Sequence, residues 1–140
     1  MSFKDFTELP VWQKSSDLLV QMYHITKGFP DDEKDGMSKD LRHAANNTTN
    51  HIAEGYGTYD KPEKTKYYKL SRSNAYRIIN MIMAANDLSY LNEMHYNELM
   101  DGYKRVVDEL DSLIKSIEVK KPQQQRYQQN QRRNYNSYNE

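Results

Sequence analysis

The chain has 140 residues, no cysteine, and a formal charge of zero from 20 basic and 20 acidic side chains. That length suits one domain with at most a tail, and the missing thiols exclude disulfides, thiolate metal sites and cysteine nucleophiles. No apolar run approaches the roughly 18 residues a membrane-spanning helix needs, and the opening MSFKDFTELP has no basic region followed by an apolar one, so the expected location is the cytoplasm.

Neutrality conceals a split. Residues 120–140 carry Lys120, Lys121, Arg126, Arg132 and Arg133 against Glu140, a net +4, which leaves −4 on residues 1–119. The tail QQQRYQQNQRRNYNSYNE has no aliphatic side chain to offset the entropy of ordering, and is expected to be disordered in isolation. The division is therefore a bundle domain over 1–119 and a basic tail over 120–140.

The first helix is expected from Pro10 to about Lys27. Trp12, Ser16, Leu19, Met22, Tyr23 and Thr26 form one face, with Val11, Leu18, Ile25 and Phe29 as a second apolar edge, so this helix should touch more than one neighbour. Gly28, Phe29 and Pro30 stop it, and the acidic DDEKDG bridges to Ser38. Ser38 is the expected N-cap of the second helix, whose narrow stripe is Leu41, Ala44, Ala45, Thr48 and Ile52. Gly55 is expected to end that helix in the left-handed conformation, leaving GYGTYD as a loop. Asp60 then caps the third helix, with Pro62 in its first turn and Glu63 three residues after the cap.

The third helix should run to about Asp87, with Tyr67, Leu70, Ser71, Asn74, Ile78, Met81, Ile82 and Ala85 as its core stripe and Tyr68, Ala75, Ile79 and Met83 beside it. Asn92 caps the fourth, where Leu99, Tyr103, Val106, Leu110, Leu113 and Ile117 form a heptad seam and Val107 and Ile114 lie off it. No run alternates with the period of two that a half-buried strand requires. Four helices with short links predict an all-α, antiparallel up-down-up-down four-helix bundle.

Candidate chemistry is sparse. Asp40, His43, Asn47, His51 and Glu54 recur along the polar face of the second helix and could chelate an ion, but bundle metal sites draw ligands from several helices and no second helix offers such a set. We read the stripe as polar surface or subunit contact, with no metal and no cofactor. No Gly-x-Ser-x-Gly elbow exists, the carboxylates of the fourth helix lie opposite its seam, and Gly55-Tyr56-Gly57 lacks the remainder of a phosphate loop, so no enzymatic activity is expected. What remains is basic and aromatic. Arg42, His43, Lys64, Lys66, Lys69, Arg72 and Arg77 gather on helices two and three, and Arg126, Arg132 and Arg133 alternate with tyrosines in the tail. Such patterns displace counterions from phosphates and stack on unpaired bases, as Tyr56 and Tyr59 also could.

Several stretches carry a resemblance. Leu9-Pro10-Val11-Trp12-Gln13-Lys14, Tyr23 with Phe29-Pro30 and Glu33, Leu41-Arg42 before Ala44-Ala45, and above all Ile52-Ala53-Glu54-Gly55-Tyr56-Gly57 resemble the four-helix bundle protein family, also called intervening-sequence or S23-type proteins. The segment Asp87-Leu88-Ser89-Tyr90-Leu91, preceded by Ala85, is similar to that family's third-helix exit. The resemblance spans roughly residues 5 to 118. It implies a homopentameric bundle and, through the accessory variability determinants of diversity-generating retroelements, binding to RNA or DNA and to a reverse transcriptase. Five tails of +4 brought together would gain avidity for a polyanion. This chain departs from the family at His43 (commonly Arg), at His51 (commonly Asn) and at Ser73, Asn74, Ala75 and Arg77, where relatives carry Gly-Ser followed by Leu-x-Glu. The lost glycine should alter the closest contact of the third helix, and Arg77 should replace a buried or interfacial partner. The preferred function is a nucleic-acid-binding oligomeric scaffold. The alternative is a purely structural or protein-interaction oligomer.

Overall fold

The structure is a computed structural model and describes residues 4–118 and 131–133. A short 3-10 turn, Phe6–Glu8, leads into α1 (Pro10–Thr26). A second 3-10 turn at Asp31–Glu33 precedes α2 (Met37–Gly57), and α3 (Lys61–Asp87) and α4 (Glu93–Glu118) follow. Among the described residues there is no strand, and no helix is long and apolar enough to cross a membrane. Each helix lies against two neighbours, α1 on α2 and α4, α3 on α2 and α4, while the diagonal pairs stay apart. Short connections between sequential neighbours give the up-down-up-down order. Phe29 and Tyr90, from the two turns at one end, meet at 5.3 Å between ring centroids. The disordered-tail expectation falls almost wholly on residues outside those described.

The capping signals sort cleanly. Asp60 accepts from the Glu63 amide at 3.1 Å and Asn92 accepts from the His95 amide at 2.7 Å, so α3 and α4 begin where a short polar side chain satisfies an orphan donor. Ser38 does not do this. Helix α2 starts two residues earlier, with Gly36 as N-cap and no side-chain bond, and Ser38 is buried in the first turn.

Gly55 also departs from expectation. Helix α2 runs through it to Gly57, no glycine of the described chain has positive φ, and the turn shrinks to Thr58–Asp60. What Gly55 supplies is room: a Cβ there would lie 2.7 Å from Tyr68 Cε1, closer than carbon atoms tolerate. The same device joins α1 to α4, where a Cβ on Gly102 would sit 2.5 Å from Leu18 Cδ2. Between α2 and α3 the Ser71 hydroxyl donates to the Thr48 carbonyl at 2.7 Å, so a buried polar group is satisfied at the seam rather than beside it.

These contacts rotate two stripes from their expected positions. On α3 the core is Thr65, Tyr68, Ser71, Ala75, Ile78, Ile79, Ile82 and Ala85. Tyr67, Asn74 and Met81 are half-buried and Leu70 is 39% exposed, because the small Ser71 and Ala75, not the larger Tyr67 and Leu70, admit α2. On α1 the core is Val11, Ser15, Leu18, Met22 and Thr26, so the edge containing Val11 and Leu18 is the main one and Trp12, Ser16 and Leu19 flank it. The seam of α4 holds at Leu99, Tyr103, Val106 and Leu110. It widens to Met100, Gly102, Val107 and Ile114, while Leu113 and Ile117 are half-buried, as a helix serving two neighbours requires.

Tyr103 is the largest fully buried side chain, and its hydroxyl has no hydrogen-bond partner among the described residues. Burial pushes its phenol upward, and burial, with Tyr56 nearby, pushes Tyr68 up to about 12. Both rings thus favour the neutral form in the folded state. Their contribution is whole below about pH 10, where the unfolded phenols begin to ionise, and is lost as pH rises through the folded values. Tyr103→Phe removes an unpaired buried hydroxyl while keeping the ring. We expect urea denaturation at pH 7 to show unchanged or greater stability, by up to about 1 kcal/mol, and a shallower decline above about pH 10. A loss of more than about 1 kcal/mol at pH 7 would show that the hydroxyl has a partner.

Candidate nucleic-acid interface

The cationic side chains divide by what they already touch. Arg42, half-buried on α2, donates through Nε to Thr26 Oγ1 at 2.8 Å and through Nη2 to the Tyr23 carbonyl at 3.3 Å. Its guanidinium lies 4.6 Å from the centre of the Tyr23 ring. Thr26 in turn donates to the Met22 carbonyl at 2.6 Å, so Arg42 fastens to the C-terminal turn of α1. It is a clamp between α1 and α2.

Two residues of α3 are held by α4. Arg72 Nη1 lies 2.6 Å from Asp111 Oδ1 and Lys69 Nζ lies 2.6 Å from Glu118 Oε1. These pairs remain partly solvated and stabilise by about 0–1 kcal/mol each. Their larger effect is to remove acidic charge from the side of α4 that borders α3. His43 is exposed and shares a contact with Asn47 Nδ2 at 3.1 Å. His51 is mostly covered, stacks on Tyr67 at 6.3 Å between centroids, and brings Nδ1 to 3.1 Å from Glu54 Oε1. Among the described residues no three His, Asp or Glu side chains converge as a metal site would require.

Lys66 and Arg77 are exposed, with no partner among the described residues, on the outward side of α3. Arg77 is therefore not a buried partner within the chain. Lys66 and Lys69 border a shallow depression of about 330 Å³ lined also by Pro62, Thr65, Leu70 and Ser73. Arg132 and Arg133 are exposed in the helical stretch 131–133, and Arg126 lies outside the described residues. These candidates do not form one patch: Lys66, Lys69, Arg72 and Arg77 share α3, Arg42 faces α1, and His43 lies on α2.

Lys64, also in the basic cluster, and Lys61, which sequence reasoning missed, lie on the same helix. Lys64 donates to the Gly55 carbonyl at 2.7 Å and the Tyr56 carbonyl at 3.0 Å, closing the end of α2, and burial lowers its pKa. Lys61 is exposed in the first turn of α3. In all, α3 holds six basic residues against Glu63 and Asp87, whereas α4 holds seven acidic residues against three basic ones. The cations of α3 fall between Lys61 and Arg77, and Tyr76 and Met83 are its exposed large apolar side chains beside and beyond the last of them.

An antiparallel bundle with its cations concentrated on one helix defines the class as a small helical-bundle protein. The family model of the 23S rRNA-intervening sequence protein matches residues 7–112, and the chain belongs to that family. Its fold is similar to the crystal structure of a protein of unknown function from the S23 ribosomal protein family of Bacteroides thetaiotaomicron. The TM-score is 0.70 at 16% identity, over 75% of this chain and 98% of that one. None of the curated proteins compared with the chain matches it.

If Arg42 is a clamp, Arg42→Ala should destabilise the protein by about 1–3 kcal/mol in chemical denaturation, because charged hydrogen bonds and the ring stacking disappear together. His43→Ala should stay within about 0.5 kcal/mol. Equal effects of the two would contradict the assignment.

Proposed function

We propose that the protein is a non-catalytic, cytoplasmic, oligomeric scaffold that associates with RNA through the outward face of α3 and the basic tail. The observation that carries this reading is the exposure of Lys61, Lys66 and Arg77 along α3, Lys66 and Arg77 with no partner among the described residues. A helix is stabilised by acids at its N-terminal end and by bases at its C-terminal end. That effect reaches only the first turn, so it bears on Lys61 alone, and an anionic partner there compensates it. The neighbouring carboxylates Asp111 and Glu118 are tied to Arg72 and Lys69, which leaves the face positive. Membership of a family named for an intervening sequence of ribosomal RNA supports RNA as that anion.

The exposed apolar side chains of the second half of α3, Tyr76 and Met83, together with Leu88 and Met94, support contact with further copies of the chain. We propose a homopentamer, and DNA or a reverse transcriptase as further partners, on the strength of the Ile52–Gly57 resemblance. At 3.6 residues per turn Lys66 and Arg77 share one line along α3 and Tyr76 and Met83 another, so RNA does not compete with assembly. The same apolar residues favour the second reading, a protein-interaction oligomer with an inert tail. Light scattering with and without RNA separates the two.

In a titration with labelled single-stranded RNA, log K should fall linearly with log salt. The combined Lys66→Ala and Arg77→Ala variant should lower the slope by about 1.4, near 0.7 for each phosphate that is no longer neutralised. Removing residues 120–140 should lower it further. Salt-insensitive binding, or no binding at low salt, would contradict the proposal.

A further inference from the structure

At the end of the bundle where α2 hands over to α3, the turn Thr58–Asp60 and the last turn of α4 enclose an open pocket of about 480 Å³, within the range of small-ligand sites. Its walls include Tyr56, Tyr59, Lys61, Lys64, Ser116 and Ile117. Three properties of that wall narrow what it accepts. Lys61 and Lys64 supply positive charge and no carboxylate lines the pocket, so the occupant is an anion or carries one. Tyr59 is 99% exposed, a whole aromatic face that no part of the described chain covers. Half-buried Ile117 makes one side apolar.

The wall's polar groups are largely committed. Lys64 spends two of its three N–H donors on the Gly55 and Tyr56 carbonyls, Thr58 donates to the Glu54 carbonyl at 2.7 Å, and Ser116 donates to the Leu113 carbonyl at 2.7 Å. This leaves few directed groups with which to read a particular base edge. A flat π-face beside a cation suits a base with its phosphate, and stacking is tolerant of which base it is.

We infer that this pocket holds one unpaired nucleotide of single-stranded RNA, with Tyr59 stacking on the base and Lys61 contacting the adjoining phosphate. The inference rests on the RNA reading above and gives it a location separate from Lys66 and Arg77. A duplex keeps its bases stacked on one another, so the pocket confers preference for single strands, while the outer face of α3 attracts phosphates of either form.

The test uses the full-length chain and a fluorescein-labelled oligouridylate of about 12 nucleotides, followed by anisotropy, beside an RNA duplex of the same length. Tyr59→Ala should weaken single-strand binding about tenfold and leave duplex binding unchanged, and Tyr59→Phe should retain it. Gly57→Leu gives a second route to the same end. A Cβ at Gly57 meets no atom within 4 Å, so the larger side chain can grow into the pocket without disturbing the bundle, and single-strand affinity should again fall about tenfold. Circular dichroism melts confirm that each variant is folded. Wild-type binding that Tyr59→Ala and Gly57→Leu leave intact overturns the pocket and leaves the RNA reading standing. Equal losses for strand and duplex also overturn it, because the residue then acts as general surface. If the wild-type chain binds neither probe at low salt, the RNA reading and the pocket fall together.

Discussion

The closest approach of α2 and α3 sets the geometry on which the other features depend. The Tyr68 ring occupies the space where a side chain at Gly55 would start, and Tyr68 is buried against that gap. Once the two backbones are this near, Lys64 reaches the Gly55 and Tyr56 carbonyls, and the Ser71 hydroxyl reaches the Thr48 carbonyl two turns further along. Each bond satisfies a group that would otherwise be costly to bury. The contact also fixes the short turn that follows, and with it Tyr59 and Lys61.

The distribution of charge follows from the same packing. A neutral chain shows no polarity in its total, but the bundle separates its signs by helix. Where α3 meets α4 the opposite charges pair, as in Arg72 with Asp111 and Lys69 with Glu118. Where α3 faces outward they do not, and Lys66 and Arg77 stand alone among the described residues. Arg42 and Lys64 take a third course by fastening to the C-terminal turns of α1 and α2. Four cations are thus structural, and the surface that remains for an anion is smaller than a count of basic residues suggests.

Much of the fold was legible in the chain. The helix starts at Asp60 and Asn92 depend on one side chain and a local amide, so the residue type reveals them. The element order, the near-final boundaries of all four helices and the family resemblance through Ile52–Gly57 likewise follow from local pattern. What was not legible depends on a partner far along the chain. Gly55 reads as a helix stop because a stop is the commonest use of such a glycine, and only the ring of Tyr68, 13 positions later, shows that it is a seat for packing instead. The stripe of α3 shifts for a related reason: apolar size favours Tyr67 and Leu70, whereas close approach favours Ser71 and Ala75. Of the candidate site, the α3 cations were visible as a cluster. That Arg42 serves α1, and that Lys61 shares a pocket with Ser116 and Ile117, needed the third dimension.

A double-mutant cycle on Gly55 and Tyr68, followed by urea denaturation, bears most directly on the claim that this contact governs the bundle. Gly55→Ala alone should destabilise by more than about 1 kcal/mol despite the gain in helix propensity. In a Tyr68→Ala background the three ring atoms that crowd the new Cβ are gone, and the same change should become neutral or stabilising, a coupling of about 1–3 kcal/mol. Additive effects within about 0.5 kcal/mol would contradict the account and place the organising contact elsewhere.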